Sequence, residues 1–329
     1  MTGASLAQPG LCTVVDGAGS GDAVPFTRAT AEGLLAAGGF FWLDLHGPRP
    51  EDFAVLRDVF GFHPLAVEDS EHFGQRSKIE DYDGFTFLSV YGAGHDADGL
   101  VEVHCFAAAR FLVTVHRDDC PAFADVRRRH VLRHDLVDDP AQVLYRIVSA
   151  LVDSFFPVLE ELDDRIDVLE DELFLKAEEE HLQEIFRLKR RLVGMRKALT
   201  PQRDAFAAVA AGVVVLPGLT VEHERHFRDV YDHLIRICDL VDSYRDLLTG
   251  AMDVYLSMVS NRVNAVMKQL TVIATIFLPL TWLTGFFGQN FGWLVESVGG
   301  WPEFVGVGIG LELVALTVLL FFFKRRGWF

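Results

Sequence analysis

The sequence predicts an α/β domain, then a long α-helical stalk that continues into a two-helix transmembrane region. Three observations predict it. Two long apolar runs lie close together after residue 269. The hydrophobic period changes from strand-like to helical near Asp139. From about Thr220 to Phe287 there is no proline before Pro279, and the only glycine ahead of the apolar run is Gly250.

The composition bounds the function. The chain has 329 residues, with 47 acids against 30 bases and a formal net charge of −17. That is long enough for two domains and too apolar for a disordered chain. The acidic balance argues against nucleic acid as a partner and suits cations. Cys12, Cys105, Cys120 and Cys238 lie far apart, with no C-x-x-C pair. This excludes a disulfide scaffold or cysteine-zinc module and fits a reducing compartment. The first 27 residues hold no Lys or Arg and no long apolar run, so no secretory signal or transit peptide is expected.

Residues 1–138 form the expected α/β domain. Strand-like stretches occur at Leu11–Val15, Phe40–Leu45, Phe85–Tyr91, Leu100–Phe106 and Ala109–Val115, the last two as a hairpin. Helices are expected around Pro50–Phe60 and Pro64–Glu71. Residues 139–218 form a helical hairpin, in which an acidic helix over 158–180 faces a basic one over Arg187–Lys197 with matching charges. Gly212 and Pro217 break the chain before the next helix.

Residues 219–287 read as one stalk and first transmembrane helix, roughly 100 Å long at about 1.5 Å per residue. One register of alternating four and three residues gives Val230, Leu234, Ile237, Val241, Tyr244, Leu248, Ala251, Tyr255 and Met258. All are apolar, so this is a packing seam. A second register gives Asp232, Arg236, Asp239, Ser243, Asp246, Gly250, Asp253, Ser257, Ser260 and Asn264, all polar or glycine. It continues into the apolar run as Met267, Thr271, Ala274, Leu278, Thr281, Gly285 and Gly288. The soluble part of this stripe also fits an ordinary wet face, and the membrane part also fits helix packing through small residues. Read as a water-contacting wall, it requires several copies around an axis.

Leu270–Phe287 is 18 residues without a charge, and Phe304–Phe323 is 20 residues with only Glu312. Each is long enough to cross a hydrocarbon core of about 30 Å. Arg262 and Lys268 precede the first run, and Lys324, Arg325 and Arg326 follow the second, with no Lys or Arg between Lys268 and Lys324. The positive-inside rule then puts both termini in the cytoplasm, with 304–323 as the second span, 324–329 as a basic tail and 288–303 as an external loop. Trp293 and Trp301 suit the membrane interface. Two buried helices of a soluble protein remain the alternative.

The first span ends in Gly285-Phe286-Phe287-Gly288-Gln289-Asn290. Asn290 offers a carbonyl and an amide without charge. A ring of such carbonyls can hydrogen-bond the water shell of Mg²⁺, an ion that sheds its waters reluctantly. With this motif after a C-terminal first span, one further span and a basic tail, the chain resembles the CorA family of magnesium transporters. FRDVYDH at Phe227–His233, the segment Asn264–Phe291, FFFKRRGW at Phe321–Trp328, and HPLAVEDSEH at His63–His72 carry the resemblance. It spans essentially the whole chain.

The resemblance implies a funnel-shaped homopentamer in the cell membrane that carries divalent cations. It implies a selectivity ring at Gly288, Gln289 and Asn290. It puts Asn264, Met267, Leu270, Thr271, Leu278 and Thr281 on the pore wall and Asp253 on an acidic ring at the inner mouth. Asp229, with Asp69 and Glu68 of a neighbouring subunit, falls on a regulatory divalent site where cytoplasmic Mg²⁺ holds the closed state. Gln289 replaces the family's central Met, which bears on ion preference; Co²⁺ and Ni²⁺ are further expected ions. ZntB-type Zn²⁺ transporters, thought to be proton-coupled, share the fold and vary at this position. His226, Asp229 and His233 on one helix face read either as a softer metal site or as an ordinary polar face. Glu312 inside the second span is a candidate for a proton or polar role. No nucleophile elbow, phosphate loop or H-E-x-x-H motif is present, so an enzyme is not expected. A membrane-anchored sensor or scaffold needs neither the polar stripe nor the G-Q-N end.

Overall fold

The computed structural model of the chain describes residues 11–16, 21–94, 99–132, 140–289, 291–297 and 299–328. They form two compact units. The first extends to Glu172 and resumes over Glu178–Ala251; the second comprises Leu173–Ala177 and Met252–Phe329. Asn290 and Asp139 lie outside the described residues.

The first unit is built on a seven-stranded sheet of β1 (Leu11–Asp16), β2 (Gly21–Pro25), β3 (Phe41–His46), β4 (Lys78–Tyr82), β5 (Phe85–Ala93), β6 (Leu100–Ala108) and β7 (Phe111–His116). Their order is β2-β1-β3-β7-β6-β5-β4. Among the described strands only β3 and β7 pair in parallel, while β6 and β7 form the expected hairpin. The sequence reading missed β2 and β4, which are the two edges of the sheet. Edge strands need no apolar alternation, and GDAVP and KIEDY show little of it.

Strand alternation sorts side chains to two faces. Phe41, Leu43 and Leu45 of β3 point into a core with Phe53 and Leu56 of α2 (Pro50–Asp58) and Ala66 and Val67 of α3 (Pro64–Glu71). Ala31 of α1 (Arg28–Ala37), a helix capped by Thr27, joins the same core. On the other face Trp42 meets Phe123 of α4 (Pro121–Leu132) edge-on at 5.6 Å. Next to α4, α5 (Pro140–Asp153) buries an apolar face from Ala141 to Val152. A Cβ on Gly92 of β5 would lie 2.7 Å from Leu151 Cδ2, so glycine sets how closely α5 approaches the sheet. Beyond the end of β4, side chains cap the exposed edge of β5. Gln202 accepts from Tyr91 N at 2.7 Å and donates to Tyr91 O at 3.2 Å, and Ser154 Oγ accepts from Ala93 N at 2.8 Å.

Helices α6 (Phe155–Leu175) and α7 (Glu179–Ala210) make the expected antiparallel hairpin. The Arg165–Glu184 bond across it, at 3.1 Å, runs from the acidic helix to the basic one with its signs opposite to expectation. The basic helix also turns toward the stalk: Arg196 pairs with Asp242 at 3.0 Å and Lys189 donates to Thr249 at 2.8 Å. Gly212, at φ 69°, takes the left-handed geometry that ends this hairpin.

One 67-residue helix, α8 (Val221–Phe287), follows. Its seam is buried from Val230 to Ala251, then only half-buried at Tyr255 and Met258, beyond the boundary of the first unit. Burial of each such aliphatic side chain contributes roughly 1.5–3 kcal/mol. In the second unit α8 is followed by α9 (Gly292–Ser297), α10 (Trp301–Glu303), a π-helical turn over Phe304–Ile309, and α11 (Gly310–Arg325). The π turn departs from the plain α-helix expected for the second span, and falls where Gly306 and Gly308 sit close together.

Helical segments within Glu222–Phe287 and Trp301–Arg325 are long and apolar enough to cross a membrane, and almost none of their apolar windows is buried. Pro140–Leu175 also meets the length and composition, but much of its apolar surface, from Ala141 to Leu169, is buried in the first unit. Lys268 donates to the Gly327 carbonyl at 3.3 Å, so the start of the first apolar helix lies beside the end of the second.

Candidate functional site

Seam and stripe occupy opposite sides of α8, because a step of two residues turns a helix by about 200°. Every stripe residue from Asp232 to Asn264 is exposed in the single chain, as are Met267, Leu270, Thr271, Leu278 and Thr281. The hydroxyls of Thr271 and Thr281 donate to the carbonyls four residues back, each at 2.8 Å. That satisfies their protons within the helix and leaves oxygen lone pairs outward, where they suit a cation's water shell. Pro279 has no N–H for the Thr275 carbonyl, which adds an acceptor in the same stretch.

At the helix end Gly288 N bonds to Thr284 O at 2.8 Å and Gln289 N to Phe286 O at 3.2 Å. A Cβ on Gly288 would come within 3.0 Å of the Thr284 carbonyl, so the turn leaves little room for a side chain. Gln289 is exposed; Asn290 is outside the described residues.

The acids expected at a regulatory site sit on two elements. Glu68 and Asp69 lie near the end of α3, which Pro64 starts and His63 caps through its ring nitrogen. Glu68 is exposed, whereas Asp69 binds Lys78 at 2.7 Å and shares it with Glu80 at 2.8 Å. Burial works to lower the Lys78 ammonium, but its bonds to Asp69 and Glu80 carry it above the usual range. A dication at Asp69 therefore competes with an ammonium already there. Asp229 is exposed on α8, and its neighbour His233 bonds through Nδ1 to Asp153 of α5 at 2.8 Å. His233 Nε2 stands 3.9 Å from Asp229.

His226 does not join them. Its ring stacks on Tyr145 at 4.6 Å. Among the described residues of one chain, no three His, Cys, Asp or Glu side chains gather to hold a metal. Glu312, in the first turn of α11, is half-buried.

Two buried networks escaped the sequence reading. Glu102, on β6, accepts from the backbone N–H of Gly74 and of Gln75, the latter at 2.9 Å, and pairs with the buried His104 at 2.8 Å. Burial raises the Glu102 carboxyl, but the bonds from His104, Gly74 and Gln75 hold it below the usual range. This carboxylate clamps the loop joining α3, with Glu68 and Asp69, to β4, with Lys78. The second network centres on Asp44, buried on β3. It accepts from Thr114 at 2.6 Å, pairs with Arg127 at 2.5 Å, and lies 3.2 Å from His116. The signal was present: acids and histidines at alternate positions inside strands otherwise apolar.

Residues 37–325 match the family described as CorA-like Mg²⁺ transporter protein. A Bacillus subtilis (strain 168) relative named YfjQ is 33% identical over 299 residues, covering 88% of this chain and 90% of its own. The cobalt/magnesium transport protein CorA of Thermotoga maritima is 34% identical, over 87% of this chain and 83% of its own. The zinc transport protein ZntB of Cronobacter sakazakii is 29% identical, over 85% and 84%. Among solved structures, the complete CorA magnesium transporter of Methanocaldococcus jannaschii superposes with a TM-score of 0.82 at 23% identity, covering 98% of this chain and all of that one.

Proposed function

This chain belongs to the family of CorA-like Mg²⁺ transporter proteins, as a divalent cation transporter of the membrane, and we propose that it is a passive Mg²⁺ channel. In this reading it assembles as a homopentamer in the cell membrane with both termini in the cytoplasm. Mg²⁺ is the main ion carried inward, with Co²⁺ and Ni²⁺ as secondary ions, and cytoplasmic Mg²⁺ is also the gating ligand.

The observation that carries the proposal is the two-sided α8. One side is buried in its own subunit, while the other keeps an exposed polar line that continues along the apolar helix. Asn264 just ahead of the apolar run, and the back-bonded hydroxyls of Thr271 and Thr281 within it, keep acceptor lone pairs that water or another copy can meet. Five such edges around an axis give a wet passage. Its inner mouth is a ring of Asp253, its apolar constriction is Met267, Leu270 and Leu278, and its outer ring is Gly288, Gln289 and Asn290. Uncharged carbonyls there bind the ion's water shell without stripping it.

Gating follows from like charges. Mg²⁺ bridging Asp229 of one subunit to Asp69 and Glu68 of the next holds the subunits together, with His233 at the margin of the site. Loss of the ion leaves carboxylates facing each other and loosens the contact. The helix pair at Lys268 and Gly327 supports an odd–even arrangement in which residues 1–138, 139–218 and the lower part of 219–287 share the cytoplasmic side with the 324–329 tail. Residues 288–303 then form the external loop and 304–323 the second span.

A second reading has specific support. Gln289 in the filter, Glu312 in the second span and the similarity to ZntB favour proton-coupled Zn²⁺ transport. Purified protein in liposomes separates the two. The channel reading expects Mg²⁺ flux down its gradient without a pH gradient, abolished by Asn290→Ala with assembly intact. A strict requirement for a pH gradient, with Zn²⁺ preferred, favours the second reading.

A further inference from the structure

The turn between α6 and α7 carries two exposed apolar side chains that the transport reading does not use. Phe174 is 66% and Leu175 85% exposed, while Leu173 just before them is fully buried. Leu278 and Trp282 of the first apolar helix are exposed to a similar degree, at 74% and 65%. A soluble surface seldom presents two adjacent side chains of this size at a hairpin tip.

What covers them is indicated by where the tip sits. Leu173–Ala177 belongs to the second unit, with both apolar helices, rather than to the unit containing the rest of α6 and α7. Arg262 of α8 donates to the Ala177 carbonyl at 3.5 Å, which fixes the tip's level on that helix. The apolar run begins at Leu270, eight residues further on, or about 12 Å at 1.5 Å per residue. The headgroup layer takes up roughly 5–7 Å of that distance. The remainder is within reach of a large side chain. Arg262, Lys268, Lys324 and Arg325 line the stretch between the tip and the apolar runs, as basic residues do at a membrane surface. Lys176 follows the apolar pair, with an aliphatic stem and a charged head suited to that boundary.

We propose that the α6–α7 hairpin tip is a membrane-docking element: Phe174 and Leu175 enter the headgroup region of a zwitterionic phospholipid bilayer beside the first span. The acids flanking the tip, Glu172 and Glu178, stay in water, and they disfavour a strongly anionic surface. The inference rests on the apolar helices lying in the bilayer. It is independent of which ion passes and of how the channel gates.

A fluorescent label tests it. All four native cysteines are buried, so Leu175→Cys takes a thiol-reactive NBD dye selectively in the full chain. The protein is reconstituted in phosphatidylcholine nanodiscs, with Val213→Cys as the water control, since Val213 is 78% exposed in the first unit. The dye at position 175 is expected to emit further to the blue than the control and to lose most of its emission when the lipid carries a shallow spin label. Iodide should quench the control instead. Phe174→Cys carries the dye one position earlier and should give the same result. Emission at both tip positions that spin-labelled lipid leaves untouched overturns the proposal. Quenching by iodide would then put the tip in water, and protection from both quenchers would put it against a second copy of the chain.

Discussion

Thr114, Asp44 and His116 show how single residues set local chemistry in the sheet. Trp42 donates its indole N–H to Thr114 at 2.9 Å, and the Thr114 hydroxyl donates in turn to Asp44 at 2.6 Å. Burial alone would lower the His116 imidazolium, but Asp44 at 3.2 Å and the Asp118 carbonyl at 2.7 Å raise it above the usual value of 6.5. A raised folded value stabilises the protonated folded form, so this contribution is complete below about pH 6.5 and disappears as pH rises through the folded value. Melts of the purified protein followed by Trp fluorescence should therefore show a midpoint that falls as pH rises above 6.5, and His116→Gln should flatten that slope. An unchanged slope in the variant would assign the dependence to other groups. The polar residues inside apolar strands were visible in the sequence, but their pairing was not. Asp44 and His116 are 72 residues apart, and only the parallel pairing of β3 with β7 makes them neighbours. The proposal for Asn290, by contrast, rests on motif alone, on its type and its place after an apolar run.

Elements differ in how much of their shape is local. The α8 seam repeats at alternating steps of four and three, so its buried side could be read directly from the sequence. Ile237 is fully buried on that side, and Asp239 is exposed two residues later. Ile237→Ala should cost about 2–5 kcal/mol of stability, and Asp239→Ala less than about 0.5 kcal/mol, by denaturant titration in detergent. Equal losses would mean that the stripe is packed within its own subunit. Strands β2 and β4 escaped because an edge strand is defined by its neighbour more than by its own pattern. The hairpin charges were legible as composition but not as pairing. Arg196 and Lys189 face α8, and only the three-helix packing decides that. Gln202 is a similar case: a glutamine in a helix gives no hint that it will cap a strand edge.

At the scale of the whole molecule, the family was legible from motifs spread along the chain, and the proposed topology rests on charge placement. The proposed regulatory site has no geometry within one chain, since its acids lie on α3 and α8 and no metal-holding group of three forms among the described residues. If the site forms between copies, Mg²⁺ should protect the first unit from proteolysis, and Asp229→Ala or Asp69→Ala should weaken that protection several-fold. Because Lys78 competes at Asp69, Lys78→Met should strengthen it. Protection unchanged in both acid variants would locate gating elsewhere. The central claim is that the polar edge of α8 faces water inside the membrane. Thr281→Cys lies on that edge, and Leu283→Cys lies about 160° away on the same helix. A charged, membrane-impermeant thiol reagent should block Mg²⁺ flux into liposomes through Thr281→Cys and leave Leu283→Cys conducting. Block at neither position, or equally at both, would contradict a wet passage along this face.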